Sequence, residues 1–194
     1  MNFRKLILFI SIIILIPITL LITYRIFLVN TRYPQRQDLN VKQGDYYDII
    51  PGVEMCVTDS KWLNSDDLLR DYDDVWYVDN PNDYKAVEVK IILKNYSKTR
   101  KKISLFNIYI ESDKYDWNGC DADLFSKKNE ISMEEYLEPG QEIECIMPYT
   151  FLKQNYKEDD WIQLHRYGYY LVEKRYPLKV KWRFNENKQK LVLF

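Results

Sequence analysis

Ala86-Val87-Glu88-Val89-Lys90-Ile91-Ile92-Leu93-Lys94 is the stretch that decides the fold of this 194-residue chain. Val87, Val89, Ile91 and Leu93 stand two apart, with Glu88, Lys90 and Lys94 in the alternate positions. Side chains alternate across a strand, so the run predicts one apolar core face and one polar solvent face. Full burial of the four core side chains contributes on the order of 1.5–3 kcal/mol each, before chain entropy is set against it. Asn95-Tyr96-Ser97-Lys98 is turn chemistry and marks where the strand ends.

The same period recurs at Val53, Met55 and Val57; at Phe106, Ile108 and Ile110; and at Ile143, Cys145, Met147 and Tyr149. It returns at Leu178, Val180, Trp182 and Phe184, opposite Lys179, Lys181 and Arg183. Shorter strands are expected from Trp76 to Val78, Tyr167 to Val172 and Leu191 to Leu193. Pro51-Gly52, Asn80-Pro81-Asn82, Asn118-Gly119 and Pro139-Gly140 supply turns between them. Helical signal after Ser65 and after Ser132 is confined to single turns. The expectation is an all-β, antiparallel sandwich of seven or eight strands.

A different pattern precedes it. Arg4 and Lys5 lead into an apolar run from Leu6 to Thr23 broken only by Ser11, Pro17 and Thr19. As a helix this run reaches about 27 Å, and continuing through Val29 exceeds a hydrocarbon core of about 30 Å. Residues 1–29 therefore read as a transmembrane signal anchor that contacts the membrane through residues 6–29, residues 30–45 as a polar stalk, and residues 46–194 as the sandwich. A cleaved signal peptide shares the basic start and apolar core. Against cleavage, Tyr24-Arg25-Ile26-Phe27 is bulky and no alanine precedes Ala86; no cysteine follows the run to accept a lipid. Arg4 and Lys5 are nearly balanced by Arg25, Arg32, Arg36 and Lys42 beyond the span. Long downstream domains are translocated largely regardless of charge, so the expected placement is single-pass in the cell membrane with the C-terminal domain outside. The net charge of −1 argues against nucleic acid, which selects for a strongly basic face.

The strand Ala86 to Lys94 closing on Asn95 and Ser97, the strand Ile103 to Ile110, and Leu137-Glu138-Pro139-Gly140-Gln141-Glu142 leading into Ile143 to Tyr149 resemble immunoglobulin-like extracellular domains. Such domains occur on lipoproteins and single-pass proteins of low-GC Gram-positive bacteria. The resemblance spans about residues 46 to 184 and implies fold and location only. Its motifs are structural, and they bring no catalytic residues with them.

Candidate chemistry is sparse. Cys56, Cys120 and Cys145 lack metal-ligand spacing; they read as free thiols or, in the alternative, as a Cys120–Cys145 bridge that constrains the unfolded chain by roughly 3 kcal/mol. Acidic clusters run from Asp66 to Asp83 and from Asp113 to Asp123. An EF-hand aligned on Asp71 puts Trp76 where glycine is required and Asn82 where the bidentate glutamate belongs, so solvated loops are expected, with calcium the alternative. His165 is the single histidine and stands without a nucleophile motif. Glu134-Glu135 and Asp159-Asp160 read as surface charge rather than a glycosidase pair.

With 17 Tyr, 8 Phe and 5 Trp, more rings are present than a core of this size hides, so some must form a surface. Tyr156, Trp161, Tyr167, Tyr169, Tyr170 and Tyr176 are the expected binding face. The expected function is non-enzymatic binding of an envelope protein or cell-wall component, one form being an accessory to a transporter. A surface-anchored hydrolase and a structural spacer are the alternatives.

Overall fold

A computed structural model describes residues 3–72, 80–114, 117–173 and 177–184. The expected strands at Trp76 to Val78 and Leu191 to Leu193, and Tyr176 of the expected binding face, lie outside these residues. Two compact units make up the chain, one holding the N-terminal helix and the other the sheets.

The helix, α1 (Phe3–Arg32), is 30 residues long. Among the described residues it is the one helix long and apolar enough to cross a membrane. Its residues from Ile12 onward are exposed, Leu20 at 65% and Phe27 at 64%. Thr19 and Thr23 donate their hydroxyls to the carbonyls of Leu15 and Thr19, each at 2.9 Å, so neither is left unpaired on the apolar surface.

In the second unit the described residues form three antiparallel sheets. The five-stranded sheet runs β1 (Gln37–Val41), β11 (Leu178–Phe184), β10 (Tyr169–Glu173), β6 (Ile108–Ser112), β7 (Trp117–Gly119). The four-stranded sheet runs β2 (Tyr46–Ile50), β3 (Val53–Leu63), β4 (Tyr84–Asn95), β9 (Glu142–Leu152). A short ladder pairs β5 (Lys101–Ser104) with β8 (Glu134–Leu137). Five described strands were not expected: β5, β7 and β8 have three or four residues, too few to show a period, β1 lies in a polar stretch, and β2 (Tyr-Tyr-Asp-Ile-Ile) does not alternate. β1 also corrects the stalk reading of residues 30–45, since a five-residue strand pairs there within the sheet. Phe106 precedes β6 and is 61% exposed instead of joining it, and the residues after Ser132 enter β8 instead of a helical turn.

Val87, Val89, Ile91 and Leu93 are fully buried, as their spacing demands, and β4 pairs along its length with β3 and β9. The two large sheets meet through rings: Phe151 of β9 lies 5.9 Å from Tyr169 of β10, and Tyr47 of β2 lies 6.4 Å from Trp182 of β11. The other face of β4 departs from the expectation of solvent. Helices α2 (Ser65–Asp71) and α3 (Ala122–Lys128) contribute to a second cluster there, of Leu63, Leu68, Tyr72, Ala86 and Leu124. Glu88 is consequently buried, accepting from Tyr72 Oη at 2.5 Å with Lys128 Nζ at 3.4 Å. α2 begins one residue earlier than its serine suggested: Asn64 caps it, exchanging hydrogen bonds with Asp67 in a capping box. Lys179 is likewise buried, paired with Glu111 beside the Tyr109 ring, where a solvent-facing lysine was expected.

Edge and turn details hold the ladder together. Asn129 both accepts from the Ile146 N–H and donates to its carbonyl, each at 2.8 Å, so its amide stands in for a neighbouring strand along β9. Gly52 turns β2 into β3 at φ +90, and a Cβ there would sit 2.7 Å from Ser97 Cβ. Gly52→Ala is expected to lose about 1–3 kcal/mol, read as a lower urea midpoint at unchanged m-value.

Candidate functional site

β3 begins with Val53, Met55 and Val57 on the inner face, and strict alternation would next turn Asp59 and Lys61 inward. A bulge at Thr58 absorbs the slip: Val57 pairs with Ile91 and Asp59 with Lys90. Trp62 is thereby carried inward, stacked on Phe151 at 5.3 Å and edge-on to Tyr169 at 5.3 Å. Trp62 Nε1 is buried and has no hydrogen-bond partner, a cost of about 1–3 kcal/mol for the donor.

Around Trp62 opens a cleft of about 1600 Å³. One wall is the β1–β2 connection, hung on β3 by hydrogen bonds from Gly44 N to Val57 O and from Gln43 Nε2 to Thr58 O, both 2.8 Å. A second is Tyr170 with its register partner Arg183, whose guanidinium lies 5.8 Å from the ring centroid. Lys61, Asn64, Asp67, Lys85 and His165 complete it.

Charge in this cleft is unevenly satisfied. Asp67 accepts from Arg70 at 2.6 Å, which holds its carboxyl below the usual range, and Asp59 accepts from the Ser60 N–H at 2.8 Å. Both carboxylates are therefore engaged locally. Lys85 donates to the Trp161 carbonyl and sits 4.5 Å from the Trp161 ring; burial pushes its ammonium pKa down. His165, in the turn after α4 (Glu158–Gln163), is also shifted down, by burial first and then by Lys85 and Arg166. The unfolded chain therefore binds this proton more tightly, so the contribution is full above pH 6.5 and is lost as pH falls below it. Thermal midpoints measured from pH 7 to 5 are expected to fall, and His165→Gln is expected to shallow that slope.

The expected aromatic face is divided by the fold. Tyr169 is fully buried and donates to Leu164 O at 3.0 Å, and Trp161 is 5% exposed, so both are corrected from surface to interior. Tyr156 leans on Trp161 at 5.9 Å, and Tyr167 Oη lies 3.0 Å from Asp160. Among the described members of that face, Tyr170 alone lines the cleft. Trp62, Lys61, Lys85 and Arg183 were not singled out; the broken alternation after Val57 was the signal that a bulge would turn Trp62 inward.

The remaining candidates separate. Glu134 and Glu135 are neighbours on a strand, hence on opposite faces, and Glu134 pairs with Lys102 at 2.7 Å. Asp159 and Asp160 open α4, where Lys114 holds Asp160 at 2.8 Å. Asp71 is held by Arg70, Lys61 and Lys128, and Asp121 caps α3. Asp73, Asp74, Asp79 and Asp116 of the acidic clusters lie outside the described residues. No group of three His, Cys, Asp or Glu side chains among the described residues is arranged for a metal.

Cys56, Cys120 and Cys145 are free thiols. Burial pushes Cys145 up to about 12 and Cys120 up as well, with Cys145 adding to the rise at Cys120. Thiolate is the reactive form. Rapid reaction with a disulfide reagent at pH 8 is therefore expected only after unfolding, when three thiols titrate; a count of one would show the Cys120–Cys145 bridge instead.

Fold and cleft together define a mostly β, antiparallel protein with an N-terminal apolar helix. The chain belongs to the DUF5028 family, a domain of unknown function, which matches residues 24–180. No curated protein matches it. Similar solved structures include an uncharacterised β-sandwich protein from Clostridium difficile, with 9% identity and TM-score 0.45, covering 77% of this chain and 96% of that one. A conserved hypothetical protein from Bacillus anthracis has 11% identity, TM-score 0.43 and coverage of 66% and 85%. A functionally unknown protein from Listeria monocytogenes has 13% identity, TM-score 0.42 and coverage of 66% and 71%.

Proposed function

We propose that α1 anchors this protein in the cell membrane, that its sandwich is immunoglobulin-like and stands outside, and that the cleft around Trp62 binds a component of the envelope. The observation that carries the reading is the cleft: a large opening lined by ring faces, amides and cations. Exposed apolar side chains along α1, with threonine hydroxyls returned to the backbone, support the anchor. Binding is the reading the lining supports, since its walls are mainly rings, amides, hydroxyls and cations.

The native cysteines are poor labelling sites, so the test introduces one in an exposed turn. Lys98→Cys is expected to react with a membrane-impermeant maleimide on intact cells. Reaction only after the membrane is opened would overturn the outward placement.

A further inference from the structure

The two borders of the four-stranded sheet are finished differently. Along β9 every second residue is met from outside the sheet. Asn129 takes both the N–H and the carbonyl of Ile146, the Asp121 N–H donates to Pro148 O at 2.8 Å, and the Asn118 amide donates to Thr150 O. On the opposite border β2 pairs with β3 only from Val53 to Cys56, and the connection before it reaches Val57 O and Thr58 O. From Asp59 to Leu63, no main-chain group bonds to another main chain outside the β3–β4 ladder among the described residues. Partners resume at Asn64, whose carbonyl accepts from the Leu68 N–H.

Which groups face this gap follows from the ladder, because residues of an antiparallel strand bond alternately to one side and the other. Asn129 takes both main-chain groups of Ile146, so Ile146 faces away from β4 and Lys90 opposite it bonds toward β3. Asp59, the partner of Lys90, therefore faces β4, while Ser60 and Trp62 face the gap. The Ser60 N–H is met locally by Asp59 Oδ1 at 2.8 Å. The Ser60 carbonyl and the Trp62 N–H and carbonyl remain, with the two-residue spacing that an added strand engages.

Space lies beside these groups, since residues 58–63 form one side of the cleft and Tyr170 and the β1–β2 connection form others. Five extended residues need about 17 Å. A recess walled on several sides suits a single extended chain better than the broad border of a second folded domain. Strand addition draws its affinity from main-chain hydrogen bonds, which fits walls whose charges are held locally, Asp67 by Arg70 and Lys85 by the Trp161 carbonyl.

We propose that this border of β3 takes an extended segment of an envelope polypeptide as an added strand, bonded to the main chain of Ser60 and Trp62 and lodged in the cleft. The proposal rests on the envelope-binding reading above and names the partner as protein.

The probe is a set of heptapeptides selected from a random displayed library on the full chain in neutral-lipid nanodiscs. Bound peptide is expected to slow hydrogen exchange at the Trp62 amide at least tenfold. N-methylation of alternate peptide amides is expected to weaken binding at least tenfold in one frame and less than threefold in the other. Ser60→Pro places its ring on the border while keeping the ladder to β4, and is expected to weaken binding at least tenfold; Ser60→Ala is expected to stay within twofold. Circular dichroism establishes that each variant is folded, and the exchange and N-methyl measurements use the wild-type chain alone. Failure to select a binding heptapeptide, equal loss in both N-methyl frames, or unchanged binding in folded Ser60→Pro would overturn the proposal. A Trp62 amide already protected in the free chain would overturn it too, and protection that grows with protein concentration would identify a second copy as the occupant. Peptides that bind Ser60→Pro as well as wild type but are lost in Tyr170→Ala would overturn strand addition while leaving the cleft a binding site.

Discussion

Asn95→Ala is expected to destabilise the sandwich by about 3 kcal/mol, since two or more buried groups lose partners at roughly 1–3 kcal/mol each. Asn95 ends β4 and is fully buried. Its amide donates to Thr99 O at 2.8 Å and Leu137 O at 2.9 Å, and its carbonyl oxygen accepts from Ser97 N at 3.0 Å and Ser97 Oγ at 2.7 Å. The side chain thus joins the turn after β4 to the end of β8. For a chain of this size the loss corresponds to a thermal midpoint about 6–12 °C lower. Asn95→Asp separates hydrogen bonding from volume, because it keeps the size and the acceptor but brings an oxygen against two carbonyls. It is expected to be at least as destabilised as alanine. A midpoint within 2 °C of wild type for either variant would show that this network contributes little.

Charges placed in α1 are expected to release the protein from the membrane. Ile16 and Leu20 are 55% and 65% exposed, so arginine at either position meets the surroundings of the helix rather than a packed interior. Each arginine near the centre of a span costs about 2.5–3.5 kcal/mol on insertion scales, so Ile16→Arg/Leu20→Arg together cost about 5–7 kcal/mol. Alkaline carbonate extraction followed by intact mass is the measurement. Wild type is expected in the pellet at full-chain mass, and the double variant in the supernatant. Wild-type protein recovered at a mass lacking residues 1–29 would support the cleaved signal peptide instead.

Much of the architecture was legible because β4 carries its own proof: a nine-residue alternation fixes both faces and the neighbours that must cover one of them. The same reasoning placed β3, β9 and β11. It failed where a second layer, or a charged partner on the same sheet, covers the supposed solvent side. Glu88 and Lys179 read as exposed charges, yet Glu88 is buried with Tyr72 and Lys128, and Lys179 with Glu111. Period alone carries no information about such a layer. It failed too at Thr58, where one extra residue exchanges the faces of everything that follows and moves Trp62 to the cleft. The cleft gathers residues from β3, β4, β10 and β11, the farthest of them more than a hundred positions apart, a proximity set by strand order rather than by any local motif.

The central claim is that the cleft around Trp62 is occupied by envelope material, and site-specific photocross-linking in growing cells tests it most directly. A photoreactive phenylalanine analogue at position 170, inside the cleft, is compared with the same analogue at position 136, an exposed site on β8. The account predicts adducts with envelope material from position 170 and none above background from position 136. Equal adducts from both positions, or none from position 170 in correctly anchored protein, would contradict it.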